Sequence, residues 1–60
     1  MMFMILNRHG DILALDGEFY PRSSVYQHGI REFPTRDAAE QYRLTIADYT
    51  KVAEHDRKGN

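Results

Sequence analysis

The sequence predicts a single α+β domain over residues 1–60, in which an antiparallel three- or four-stranded β-meander is followed by one long C-terminal amphipathic helix packed on one sheet face. Three observations predict this fold. Short apolar runs near the amino terminus are separated by turn residues. An Asp-Gly pair follows the second run. The last third of the chain spaces its apolar residues at the period of a helix.

The first predicted strand spans about residues 2–7, an apolar run that ends in polar residues and Gly10. The second spans about residues 11–15 and is followed by Asp16-Gly17, a pair that suits a two-residue type I′ hairpin. The third, about residues 18–20, ends at Pro21, which cannot donate to a strand ladder. Residues 21–29 are predicted as a polar loop with a candidate short strand at Val25-Tyr26, and about 30–33 form a candidate fourth strand.

Two-residue turns in both hairpins would place Leu6 opposite Leu13 and Met4 opposite Leu15. Opposed residues in an antiparallel pair share a face. This register predicts that both sheet faces are apolar, whereas a sheet with one solvated face should alternate apolar and polar residues. One predicted face holds Met2, Met4, Leu6, Leu13, Leu15 and Tyr20, and the other holds Phe3, Ile5, Ile12, Ala14 and Phe19.

The helix is predicted over about residues 35–57. Thr35 suits the N-cap, and Asp37 places a negative charge in the first turn, where the helix dipole favours it. Leu44 lies on the opposite side from the apolar stripe and is therefore a candidate contact residue. The predicted stripe consists of Ala38, Ala39, Tyr42, Ile46, Tyr49, Val52 and Ala53.

One helix covers only one sheet face, so the second apolar face predicts association with another copy of the chain or with a partner protein. A chain of 60 residues buries a small core, and it has no cysteine to reinforce it. The three histidines lack ligand spacing, so no metal or cofactor is predicted. The predicted partner or dimer interface comprises Met2, Phe3, Met4, Ile5, Leu6, Phe19, Leu44 and Val52.

The sequence favours a non-enzymatic role. Ser23, Ser24 and His28, with Asp11 or Asp16, have the residue types of a hydrolytic triad, but no nucleophile-elbow motif is present and turn hydroxyls explain the serines. No catalytic residue is therefore predicted.

The opening apolar run is too short to span a bilayer and lacks the features of a signal peptide, so a cytoplasmic location is predicted. The predicted function is a small protein-binding module, an adaptor, regulator or inhibitor, that forms a homodimer through an apolar sheet face. This size suits a phage or mobile-element accessory protein.

DNA binding is the alternative function. The net charge of −1 provides no general attraction for nucleic acid, although Tyr26 has a ring able to stack on bases. The stretch IREFPTRDAAEQYRL resembles the strand-to-helix junction of integrase arm-type DNA-binding domains. The resemblance implies a three-stranded sheet packed on one helix and DNA contacts at Arg8, Arg22 and Arg31. The chain departs from that family because its strands carry apolar residues where the family's reading face carries Lys and Arg.

Overall fold

A computed structural model describes residues 1–55 of the chain. The four strands form one antiparallel sheet with the spatial order β3-β2-β1-β4. The predicted α+β class and antiparallel sheet are therefore confirmed, but two short helices replace the single long helix. In chain order the elements are β1 (Met2–Asn7), β2 (Ile12–Leu13), β3 (Phe19–Tyr20), α1 (Arg22–His28), α2 (Arg36–Arg43) and β4 (Thr50–His55).

Both hairpins that follow β1 and β2 have loops one residue longer than predicted. The backbone N–H of Asn7 donates to the Asp11 carbonyl at 3.0 Å, and that of Ala14 donates to the Glu18 carbonyl at 2.8 Å. Each loop therefore holds three residues, and the third is a glycine with positive φ, 82° at Gly10 and 89° at Gly17. A three-residue hairpin with glycine at that position is a common alternative to the two-residue turn.

The longer loops shift the strand register by one residue, so Leu6 pairs with Ile12 rather than Leu13. A shift of one residue moves side chains to the opposite face. Ile12 and Ala14 consequently join Met4 on one face, while Leu13 joins Ile5 on the other. The prediction that both faces are apolar is confirmed, but the residues predicted to share each face were wrong.

Each sheet face is covered by one of the chain's own helices. On the first face, Val25 of α1 packs with Met4, Ile12 and Ala14. On the second face, Ala39 of α2 packs in a cluster that also holds Ile5, Leu13 and Phe33. The prediction that one face lacks a cover within the chain is therefore wrong, and with it the main argument for a docking surface on the sheet.

The predicted loop over residues 21–29 contains α1, and the candidate strand at Val25-Tyr26 was wrong. The helix follows Pro21, whose φ of −64° suits the start of a helix, and it ends at Gly29, which has a φ of 83°. Val25 is fully buried and is the only buried residue in the helix. A segment with a single apolar anchor shows no helical period, which explains why the sequence pattern missed it.

The predicted helix over 35–57 was wrong beyond Arg43. Thr35 does cap α2, since its hydroxyl oxygen accepts from the Ala38 N–H at 3.1 Å. The helix then ends in a tight turn at Leu44, where the Thr45 side chain donates to the Tyr42 carbonyl at 2.7 Å. Residues 50–55 form β4, and the predicted helical end at 56–57 lies outside the described residues. Within residues 1–55 neither helix has the length and apolarity needed to cross a bilayer.

Pairing with β1 explains why β4 is a strand. The two strands pair along six residues, from Met2 opposite His55 to Asn7 opposite Thr50. Without β4 the backbone groups on one side of β1, which includes the buried Met4 and Ile5, would have no partner. This long-range requirement outweighs the local helical spacing.

The candidate fourth strand over 30–33 forms two isolated bridges instead of a regular strand. Phe33 pairs with Phe3 at the beginning of β1, and Ile30 pairs with Ala14 just after β2. The segment therefore extends the sheet where β2 is too short to continue. Its Ile30 and Phe33 side chains pack on opposite faces.

We expect Leu44→Ala to change the free energy of unfolding by less than about 0.5 kcal/mol, the usual range for an exposed position. Leu44 is 68% exposed, as its place opposite the apolar stripe predicts. Urea denaturation followed by circular dichroism measures the change. Ile46→Ala is the matched comparison, because Ile46 packs on the core and its truncation should cost about 1 kcal/mol or more. Equal losses in the two variants would contradict this placement of the two side chains.

Candidate functional site

The candidate site is a cleft of about 210 Å³ on the α1 side of the sheet. Leu15 and Tyr26 stand at its borders and are 64% and 60% exposed, so two large apolar side chains are accessible at one cleft. Its lining consists of Leu15, Tyr26, Gly29, Ile30, Glu32 and His55, and we call it the Leu15–Tyr26 cleft.

One wall of the cleft depends on the close approach of Leu15 and Gly29. The Leu15 N–H donates to the Gly29 carbonyl at 2.9 Å, next to the bridge between Ala14 and Ile30. A Cβ atom at residue 29 would lie 2.7 Å from Leu15 Cδ1, and the φ of 83° is also one that only glycine adopts readily. Glycine at position 29 therefore ends α1 and allows Leu15 to reach the cleft.

A hydrogen-bonded Glu32–His55 pair lies at the other end of the cleft. His55 Nδ1 is 2.6 Å from Glu32 Oε2, and the two side chains are 14% and 17% exposed. An ionised carboxylate can only accept hydrogen bonds, so the His55 Nδ1–H donates to Glu32 Oε2. The pair therefore places a carboxylate and an imidazole ring together at this end of the cleft.

A carboxylate-oriented histidine is also the arrangement of a general base. Among the residues that line the Leu15–Tyr26 cleft in the described part of the chain there is no serine, threonine or cysteine side chain to act as a nucleophile beside it.

The residues of the triad pattern make other contacts. Ser24 Oγ lies 3.5 Å from the Pro21 carbonyl, as a turn hydroxyl would. The His28 ring stacks on the Tyr20 ring, with centroids 3.7 Å apart and planes 3° from parallel. The Tyr20 hydroxyl in turn donates to Asp16 Oδ2 at 2.6 Å. Asp16 and His28 thus stabilise the end of the β2–β3 hairpin against α1.

The bond from Tyr20 changes the acidity of both partners. It is the main cause that lowers the pKa of Asp16 below its ordinary value of 3.8, and the Glu18 backbone N–H adds to the effect. The same bond raises the pKa of Tyr20 above its ordinary value of 10.0. Because the carboxylate is favoured in the folded state, Asp16 stabilises the fold above its unfolded pKa, and this contribution is lost as the pH falls through the folded pKa.

We expect Tyr20→Phe to raise the pKa of Asp16 towards 3.8, because the hydroxyl donor is removed while the ring stacking on His28 is retained. An NMR titration of the Asp16 carboxyl group measures this change. Tyr26→Phe is the matched control and should leave the Asp16 titration unchanged. If the Asp16 pKa is the same in wild type and Tyr20→Phe, the hydrogen bond does not form in solution.

A second, more polar hollow of about 310 Å³ lies at the far end of β1. It is bordered by Asn7, Arg8, His9, Asp48 and Tyr49. The Asn7 side-chain oxygen stabilises the turn, because it accepts hydrogen bonds from the backbone N–H groups of His9 and Asp11, both at 2.9 Å. This hollow combines opposite charges around a turn and presents no apolar wall except Tyr49.

Most of the residues predicted for a partner interface lie in the monomer core. Met4 and Ile5 are buried, and Leu44 alone among the eight is largely exposed. The half-buried Leu6 packs on the α1 side. Met2 is half-buried. The remaining half-buried members, Phe3, Phe19 and Val52, pack on the α2 side. The covering helices thus occupy the surface that these residues were expected to offer.

The residues predicted for DNA binding are on different parts of the surface. Arg8 borders the polar hollow and Tyr26 borders the Leu15–Tyr26 cleft. The Arg31 guanidinium lies on the α2 side, 5.3 Å from the centre of the Phe33 ring. Arg22 begins α1 beside the β3 edge of the sheet. These four side chains form no common stripe, and α1 and α2 cover the sheet faces. DNA binding stays a prediction without a shared surface.

Comparison of the chain with protein-family models, curated proteins and solved structures finds no significant match.

The Leu15–Tyr26 cleft was missed in the sequence because its two ends depend on long-range structure. The shorter predicted turn assigned Leu15 to a sheet face, and His55 fell within the predicted helix over 35–57. Tyr26 was identified in the sequence, but as a residue that stacks on nucleic-acid bases.

Proposed function

We propose that the protein is a non-enzymatic protein-binding module, an adaptor, regulator or inhibitor, whose Leu15–Tyr26 cleft holds a short segment of a partner protein. The observation that carries this proposal is the juxtaposition of two exposed apolar side chains with the Glu32–His55 pair in one cleft. Small ligand sites commonly combine apolar walls with a few convergent polar groups. A cysteine-free chain is compatible with a reducing cytoplasm, where we place this activity.

The composition of the cleft indicates the chemistry of the segment. Leu15, Tyr26 and Ile30 provide apolar contact for one large apolar side chain. The cleft is bordered by one acidic residue, Glu32, and by no lysine or arginine within the described part of the chain. Charge complementarity therefore favours a segment in which the apolar anchor is followed or preceded by Lys or Arg.

A random seven-residue peptide display library, selected on the full chain, tests the proposal. We expect enrichment of peptides that place a large apolar residue next to Lys or Arg. In ¹⁵N-labelled protein these peptides should shift the amide signals of Leu15, Tyr26 and Ile30. Affinity should fall with salt because part of the attraction is electrostatic.

The matched variants are Leu15→Glu and Leu44→Glu, which place the same charge at two exposed leucines. Leu15→Glu should lose at least about tenfold in affinity, equivalent to about 1.4 kcal/mol, and Leu44→Glu should bind as wild type. Selection of no such peptides, or equal binding by both variants, would show that the cleft is not the binding site.

A further inference from the structure

The outer side of β4 exposes a defined set of backbone groups. In an antiparallel ladder, alternate residues direct their N–H and C=O groups to the same side. The backbone N–H groups of Asn7 and Phe3 donate to the carbonyls of Asp11 and Phe33, which lie on the side of β1 away from β4. Their β4 partners, Thr50 and Glu54, therefore direct their backbone groups away from β1, and so does Val52 between them.

Two of these three residues are available for pairing. Thr50 is 3% exposed, and its carbonyl oxygen lies 3.5 Å from Arg43 Nη1. Val52 is half-buried and Glu54 is exposed. Among residues 1–55, β4 has β1 as its only strand neighbour and forms one edge of the sheet. The available edge is therefore the short stretch from Val52 to His55.

We propose that this edge pairs with the same edge of a second copy of the chain, in an antiparallel arrangement that sets Val52 opposite Glu54 of the other copy. Each such pair exchanges two hydrogen bonds. A two-fold axis passes between the two Ala53 residues, and the two sheets join into one continuous sheet. A register with Val52 opposite Val52 would instead require the backbone of Thr50, which is buried.

Charge complementarity selects the same register. Lys51 and His55 lie on the α1 side of the sheet, since they pair with Leu6 and Met2. In the proposed register, Lys51 of one copy stands opposite His55 of the other, beside the Glu32–His55 pair. The lysine therefore adjoins a pair that contains a carboxylate, and symmetry repeats the contact. Glu54 lies on the α2 side of the sheet, so it is not close to the Glu32 carboxylate on the α1 side.

Hydrogen exchange of the full-length wild-type chain tests the pairing directly. The backbone N–H groups of Val52 and Glu54 point outward, whereas that of Ala53 bonds to β1. Between dilute and millimolar protein we expect exchange at Val52 and Glu54 to slow by about tenfold or more, with Ala53 protected throughout. Sedimentation equilibrium should show the mass rising from one chain to two. A single-chain mass at millimolar concentration would overturn the proposal.

Two variants identify the surface. Lys51→Glu should weaken self-association at least about tenfold, because it replaces a cation by an anion next to the Glu32–His55 pair of the other copy. Arg22→Glu, which changes the charge equally at the opposite edge of the sheet, should associate as wild type. Val52→Pro removes an outward N–H and should give a folded monomer. If this variant fails to fold, the association of Lys51→Glu and the exchange rates of the wild type test the proposal instead. A dimer that survives Lys51→Glu would overturn this register.

This proposal goes beyond the peptide-binding role and fails independently of it. Leu15→Glu lies outside the β4 edge and should still self-associate. Lys51→Glu lies outside the cleft walls and should still bind the selected peptides.

Discussion

Val25→Asp is expected to unfold the protein. Val25 is fully buried and is the only residue through which α1 enters the core, where it contacts Met4, Ile12 and Ala14. An ionised carboxylate in that position has no partner, and burying it costs several kcal/mol. A single core of this size seldom provides more than about 3–5 kcal/mol. Loss of the cooperative transition in thermal circular dichroism is therefore the expected result.

Ser23→Asp is the control for this variant, because it introduces the same side chain into the same helix at an exposed position. An acidic residue near the first turn of a helix is neutral or favourable, so Ser23→Asp should melt as wild type or slightly higher. If Val25→Asp keeps a native melting transition, α1 does not cover the first sheet face in solution, and that face is open.

Ala53→Pro is expected to have an effect of similar size. The Ala53 N–H points towards Met4 in the centre of the sheet, so proline removes a ladder hydrogen bond and brings its ring against β1. The unpaired buried carbonyl of Met4 alone costs about 1–3 kcal/mol. We therefore expect Ala53→Pro to be largely unfolded in urea titrations followed by fluorescence or circular dichroism.

Val52→Pro distinguishes a strand from a helix in this part of the chain. The Val52 N–H points away from β1, so its loss costs no bond within the monomer, although some side-chain packing is lost. In a helix over 35–57 both prolines would be equally disruptive, since each would remove an internal hydrogen bond. A folded Val52→Pro chain beside an unfolded Ala53→Pro chain is the result that the strand requires; equal damage would contradict it.

The amino-terminal half of the fold could be predicted because its signals are local. The apolar run of β1 and the glycine turns mark the meander directly, and Thr35 marks the beginning of α2. The loop length could not be predicted, since Asp16-Gly17 suits both a two-residue and a three-residue hairpin. The end of α2 was also hidden. The residues from 46 to 53 fit a helical stripe, and only the long-range pairing with β1 makes Thr50–His55 a strand.

The candidate site was harder to predict because none of its contacts is local. Glu32 and His55 are 23 residues apart and meet through the sheet. Leu15 reaches the cleft as a result of the one-residue register shift, and Gly29 must lack a side chain to allow it. In the sequence each of these residues fits an ordinary turn, strand or helix position. Their grouping, which is what suggests binding, depends on the fold.

The central position of β1 has a consequence for biosynthesis. The first strand of the chain lies between β2 and β4, and β4 is the last described element. As the nascent chain leaves the ribosome, β1 can pair with β2 at once, but its other side stays open until translation reaches His55. Contacts of such large sequence separation slow folding. The apolar MFMIL segment is therefore exposed to chaperones, or to aggregation, until β4 has emerged.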